Sequence, residues 1–330
     1  MGMKILATVA ACAAIGAAPA TAGSYSALVV FGDSLSDPGN LLALTGGGLP
    51  PFPYWNGRFS NGPVAAEYMA AVLGLPTYNL AVAGAMTGPN PAGSNDNYLV
   101  TKYGLGALNG TGILGQAQFA AGLDPVNPNL PGDALYMVWG GPNDVFDGVA
   151  KGTDLAGVTM PTAVTNIVET VKTLYQDGAR HFFVPLMPDL GLTPDTRALG
   201  AAAMAGASDL TNGYNLALMG TLAWLDTNYM PDGEIRFFDT AKFLRDAVAG
   251  ASFANVADAC IDSLACILDG IDGGPAQGYL FWDGVHPTTR AHRELGLAFA
   301  AAVPEPETYA MFLAGLGILG AVARRRQSTR

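Results

Sequence analysis

Four short segments hold the residues whose types and spacing bear on chemistry. The first is Gly32-Asp33-Ser34-Leu35-Ser36-Asp37, which follows directly on the apolar run Leu28 to Phe31. A serine at the carboxyl end of the first strand of a parallel sheet lies where such sheets bind ligands, and the glycine before Asp33 lets the chain turn sharply. Taken alone, a Gly-Asp-Ser-Leu tetrapeptide is equally a turn or a helix cap. The second segment is Asp283-Gly284-Val285-His286-Pro287. A serine hydroxyl is a poor nucleophile until a base takes its proton, and an imidazole base needs a group that fixes its tautomer and stabilises its charged form. An acid and an imidazole three positions apart can meet locally, and Pro287 confines His286 to extended backbone. The alternative has Asp283 capping a turn and His286 idle on the surface before a helix. His181 opens an apolar strand and reads as structural and partly buried. His292 falls in the terminal helix beside Arg290 and Arg293 and reads as a surface residue.

Acyl transfer also needs donors where the ester carbonyl becomes an oxyanion. Asn79-Leu80-Ala81-Val82-Ala83-Gly84-Ala85 ends a strand in a glycine whose N–H can face a ligand with no side chain in the way. Trp139-Gly140-Gly141-Pro142-Asn143-Asp144 ends another strand with an amide side chain that carries two donors. Each, singly, is also an ordinary strand-ending turn. The conjunction of all four at strand ends or before the last helix is what argues for a site.

The elements that must position these residues follow from hydrophobic patterning. Nearly continuous apolar runs at Leu28 to Phe31, Tyr78 to Val82, Ala134 to Trp139, His181 to Leu186 and Ile235 to Phe238 predict parallel strands covered on both faces. Helical patterns lie between and after them at Pro63 to Leu73, Thr162 to Gln176, Leu199 to Leu225, where Gly206 and Gly213 are potential breaks, and Thr288 to Ala301. The alternation predicts an α/β fold, a flavodoxin-like three-layer αβα sandwich on about five parallel strands, in one domain. The stretches Asn40 to Gly57 and Gly84 to Gly115 are rich in Gly, Pro and Asn and read as long loops around a site.

The chain of 330 residues is 50% hydrophobic and 13% charged, with a net charge of -11, which excludes a disordered tail and argues against nucleic acid as a partner. Three His and three Cys, with no CxxC or HExxH spacing, give no zinc signature, and no cofactor is expected. Residues 1–22 have the charge, apolar core and small-residue order of a secretory leader ending at Ala20-Thr21-Ala22. A lipoprotein box at Val9 to Cys12 and a buried N-terminal helix are the alternatives. At the other end, Val303-Pro304-Glu305-Pro306-Glu307 precedes the uncharged stretch Thr308 to Ala323 and the cluster Arg324-Arg325-Arg326. Sixteen helical residues span roughly 24 Å, slightly short of a hydrocarbon core of about 30 Å, and snorkelling arginines close the gap. A permanent membrane helix is one reading of 308–323. Residues 23–302, the expected exported body, carry 11 bases against 25 acids, so anionic surfaces are repelled at long range. Its two cysteines, Cys260 and Cys266, form an even pair in an oxidising compartment and read as a short-loop disulfide, with two buried thiols as the alternative.

In order and content the four blocks resemble the GDSL, or SGNH hydrolase, family of secreted esterases and lipases. Asn56-Gly57-Arg58-Phe59-Ser60-Asn61-Gly62-Pro63 is similar to a segment of its longer, plant-lipase-like members. The resemblance spans roughly Val29 to Arg293. It implies Ser34 as nucleophile, His286 as general base, Asp283 as orienting carboxylate, and an oxyanion hole from the N–H groups of Ser34 and Gly84 with the Asn143 side chain. The tail resembles the PEP-CTERM sorting signal of Gram-negative exopolysaccharide producers, which implies a leader peptidase and an exosortase as processing partners and transient anchoring in the membrane. The implied substrate is a carboxylic ester, of a lipid or of an acetylated polysaccharide. A non-catalytic surface or matrix-binding protein on the same scaffold is the reading from a different class. Phe52-Pro53-Tyr54-Trp55 reads either as the wall of an acyl groove or as core packing.

Overall fold

The computed structural model describes residues 25–88, 95–122, 130–268 and 274–303. The leader 1–22 with Cys12, the proposed span 308–323 and the arginine cluster 324–326 lie outside them. Among the described residues no helix is long and apolar enough to cross a membrane.

Five strands, β1 (Leu28–Gly32), β2 (Thr77–Asn79), β3 (Leu135–Trp139), β4 (His181–Pro185) and β5 (Glu234–Phe238), form one parallel sheet in the order β2-β1-β3-β4-β5. Their side chains alternate between two cores. Val29, Phe31, Tyr136, Val138, Phe182 and Val184 face the helices Ile113–Ala121, Met160–Gln176 and Ala201–Tyr229. Leu28, Val30, Leu135, Met137, Trp139 and Phe183 face Ala65–Leu73 and Thr289–Ala302. With both faces covered, no position in β1 or β3 needs a polar residue, which is why those runs are continuously apolar. The fold is the three-layer αβα sandwich. A second, two-stranded sheet of β6 (Asn255–Ala259) and β7 (Tyr279–Phe281), which the patterning did not disclose, carries the chain to the Asp283 segment.

Four expectations are corrected. The ladder of β2 ends at Asn79 rather than Val82: Leu80 and Val82 still donate to Val30 and Gly32 of β1, but the carbonyls of Asn79 and Ala81 turn to the Asn40 side-chain amide. The long stretches around the site are not wholly irregular, since they contain the short helices Asn40–Leu44 and Tyr98–Tyr103 and the start of Ile113–Ala121. Gly206 and Gly213 do not break their helix, which runs unbroken from Ala201 to Tyr229. His292 is fully buried, not on the surface. It shares a stripe with Thr289, Leu295, Gly296 and Phe299, the face of Thr289–Ala302 that packs on Ala65–Leu73, and its Nδ1 accepts from the Ala65 N–H at 3.2 Å. Burial, with the charge of His286 nearby, lowers its pKa to about 3 and keeps it neutral.

Those two helices touch through Gly296. A Cβ added there would lie 2.6 Å from the Ala65 carbonyl oxygen and 2.6 Å from the Tyr68 Cβ. Alanine improves helix propensity by about 1 kcal/mol, whereas forcing rigid backbones apart costs about 1–3 kcal/mol. Overpacking outweighs propensity here, and Gly296→Ala is expected to lower the midpoint of urea unfolding.

Candidate active site

The turn after β1 presents Ser34. Gly32 is clamped at the strand end by the Gln116 side chain, which accepts from its N–H and donates to its carbonyl, both at 2.9 Å. Beyond it the Ser36 and Asp37 N–H groups donate to the Asp33 carbonyl and the Leu35 N–H to the Asp33 carboxylate, closing a tight turn with Ser34 at its head. The Asp37 carboxylate accepts from Gly39, Asn40, Leu41 and, at 2.8 Å, Ala83. That last bond ties the serine turn to the segment carrying Gly84.

Gly84 has φ +82°, and a Cβ there would lie 2.4 Å from Asn97 Oδ1 and 2.6 Å from Leu99 Cγ. Both conformation and space therefore require glycine. Asn143 follows Pro142 in the first turn of the helix Pro142–Lys151, and its Nδ2 donates to the Ala85 carbonyl at 3.1 Å. Among the described residues, no acceptor takes the backbone N–H of Ser34 or of Gly84.

β7 delivers the last segment. Trp282 N–H donates to the His286 carbonyl at 2.7 Å, Thr288 N–H to Leu280, and Thr288 caps the helix that follows. The resulting loop is braced by the segment around residue 60: Ser60 Oγ donates to the Pro287 carbonyl and Asn61 Oδ1 accepts from Thr289 N–H. His286 Nε2 lies 2.7 Å from Ser34 Oγ, and its Nδ1 lies 2.7 and 2.9 Å from the two Asp283 oxygens. Asp283 also accepts the Val285 and His286 N–H groups and, on Oδ2, the Tyr54 hydroxyl at 2.8 Å. Burial works to raise the Asp283 pKa, but the adjoining imidazole's charge and hydrogen bond, with the two N–H donors, hold it below the ordinary carboxylate range. This hydrogen-bonded series makes a serine hydroxyl a candidate nucleophile.

Ser34, Gly84, Asn143, Asp283 and His286 all line one cavity of about 440 Å³. Leu49, Phe59, Leu99, Phe146 and Val285 give it apolar walls, and Tyr98, Lys102, Tyr103 and Asp195 add polar groups. The structure thus brings the expected nucleophile, base, carboxylate and oxyanion-donor candidates to one cavity, and places Cys260 and Cys266 outside its lining. Of the aromatic loop, Tyr54 lines the cavity while Phe52 is 82% exposed and packs in no core. The bonds of Gln116 and Tyr54 have no local spacing that would disclose them. His181 is half-buried and pairs with Glu234 at 2.9 Å. Cys260 and Cys266 are disulfide-bonded.

Comparison with known proteins places the chain. The sequence profile of the GDSL-like Lipase/Acylhydrolase family matches residues 28–299. The chain belongs to that family. A PEP-CTERM protein-sorting motif, which marks export, matches residues 302–327. Among its relatives, the thermolabile hemolysin of Vibrio parahaemolyticus is 28% identical, over 81% of this chain and 61% of the relative. Esterase EstA of Pseudomonas aeruginosa is 32% identical over 89% of this chain and 49% of the relative. A phosphatidylcholine-sterol acyltransferase of Aeromonas hydrophila is 26% identical over 82% and 87%. The chain spans about half to three-fifths of the length of the first two.

Two carboxylates behind the serine turn carry a pH signature. Burial pushes Asp33 up to about 6, against the Leu35 N–H and the His286 charge. It pushes Asp144 up to about 7, against bonds from the Thr87 hydroxyl and N–H and with the Asp33 charge adding to the rise. A carboxyl whose folded pKa exceeds its unfolded value of about 3.9 stabilises the native state below that value and loses this contribution as pH rises through the folded pKa. Wild-type stability is therefore expected to decline from about pH 4 to about pH 7 on account of Asp144. In Asp144→Asn this decline should be shallower, as read by urea unfolding at a series of pH values.

Proposed function

We propose that this protein is an exported serine ester hydrolase that works through an acyl-enzyme at Ser34. The supporting observation is the continuous series from Ser34 Oγ through His286 to Asp283, with 2.7 Å at each of its two closest links, opening on the cavity. His286 Nε2 takes the Ser34 proton as Oγ attacks the acyl carbonyl. Asp283 holds Nδ1 protonated and balances the imidazolium. The Ser34 and Gly84 N–H groups and the Asn143 amide receive the oxyanion, each such donor being worth about 10²–10³ in turnover. Collapse expels the alcohol with the proton from His286. Water then adds to the acyl-enzyme by the same base, releasing the acid and restoring the serine.

The acyl group has more room and more apolar wall than acetyl needs, and the volume lies in the range of about 300–1,000 Å³ usual for ligand sites. That favours esters of longer acyl chains over polysaccharide O-acetyl groups. The acyltransferase relative, whose name pairs a phospholipid with a sterol, leans the same way. In this reading residues 1–22 are a leader, 23–302 the working domain, and 303–330 a tail that an exosortase-type enzyme processes, with 308–323 as its transient membrane span.

Ser34→Ala is expected to abolish ester hydrolysis and labelling by a fluorophosphonate probe while leaving the circular dichroism spectrum unchanged. Labelling of the mutant at the wild-type rate would reject Ser34 as nucleophile, and a wild-type protein that takes no label would favour the binding-protein reading. In a series of p-nitrophenyl esters, kcat/KM should rise from acetyl toward medium chains. An acetyl optimum would instead favour the carbohydrate esterase.

A further inference from the structure

The reaction proposed above sets the Asp283 carboxylate against His286 Nδ1, and a second side chain shares its nearer oxygen. The Tyr54 hydroxyl donates to Asp283 Oδ2 at 2.8 Å, and that same oxygen lies 2.7 Å from His286 Nδ1. The other oxygen already serves the Val285 and His286 N–H groups. Tyr54 is itself held on two sides. Its ring stacks at a tilt on Phe59 with centroids 5.3 Å apart, and Phe59 in turn lies 5.0 Å from the His286 ring. It also packs against the cluster of Cys260, Cys266, Ala276 and Trp282. Burial, reinforced by the Asp283 charge and the hydrogen bond to it, pushes the phenol well above the ordinary tyrosine range, so it stays a neutral donor.

We infer that Tyr54 is a positioning residue: its hydroxyl fixes the plane of the Asp283 carboxylate and shares its charge, setting both the register of His286 on Ser34 and the strength with which the imidazolium is held. The consequence for catalysis rests on the serine hydrolase reading; the electrostatic coupling does not. A carboxylate that spends part of its charge on a phenol stabilises a neighbouring cation less, so removing the hydroxyl should let His286 hold its proton to higher pH. The other groups around the pair are Ser34 on Nε2, Asp195, Lys102 and Tyr103 in the cavity wall, and Asp33 and His292 farther in. Tyr54→Phe leaves all of them in place.

The test is a pH titration of the three histidines by nitrogen-15 NMR in the full-length chain without substrate, for wild type, Tyr54→Phe and Phe59→Leu, paired with steady-state kinetics. In Tyr54→Phe the His286 midpoint is expected to rise. Turnover should fall with KM nearly constant, since the bond acts on the base rather than on substrate binding. Phe59→Leu, which removes packing but no hydrogen bond, should lower turnover without raising the midpoint. A fluorinated tyrosine placed at 54, a stronger donor, should move the midpoint down and covers the case in which Tyr54→Phe folds poorly. An unmoved His286 midpoint in both position-54 variants would overturn the inference whatever the turnover. Because the titration needs no ester, a wild type that neither hydrolyses esters nor takes the phosphonate would sink the hydrolase reading alone.

Discussion

A carboxylate withdrawn from water must be surrounded by donors, and Asp283 is where that demand organises most of the site. A buried charged group left unpaired costs more than the roughly 1–3 kcal/mol of a neutral one. Asp283 meets the demand with two backbone N–H groups, an imidazole and a phenol. Three of those donors come from its own loop, and the two backbone ones hold the chain from Asp283 to His286 in a tight turn that points the imidazole back over the carboxylate. The phenol comes from the loop before the first long helix and joins the two ends of the domain.

The serine side of the site obeys the same logic with different parts. Asp37 gathers four backbone donors and so couples the β1 turn to the segment of Gly84. Gln116 takes both backbone groups of Gly32, doing for the strand end what a neighbouring strand does along its length. Ser34 Oγ and the candidate oxyanion donors are thus set by polar side chains that do not themselves face the cavity. Preorganisation of this kind lets donors act without reorganising as charge develops.

Much of this was legible in the sequence where the chemistry is local. The runs of β1 and β3 identify their strands because two covered faces leave no polar position, and Ser34, Gly84, Asn143, Asp283 and His286 sit beside glycine or proline turns that mark strand ends. What was not legible depends on pairing across long separations. Nothing near Tyr54 indicates that its hydroxyl meets Asp283, and the two flanking arginines make His292 look solvated although it stands on the packed stripe. The edge strand β2 reads too long in the sequence because Leu80 to Val82 keep apolar side chains after the Asn79 and Ala81 carbonyls have left the ladder for Asn40. The short helices of the Gly- and Asn-rich stretches, of five and six residues, carry too little periodicity to be legible in the sequence.

The bond between Cys260 and Cys266 lies in the cluster that backs Tyr54. A cross-link of this sort does not persist among the thiols that keep a cytosol reduced. The chain bears an export motif, and leaving the cytosol is what gives a cross-link behind the phenol surroundings in which it lasts.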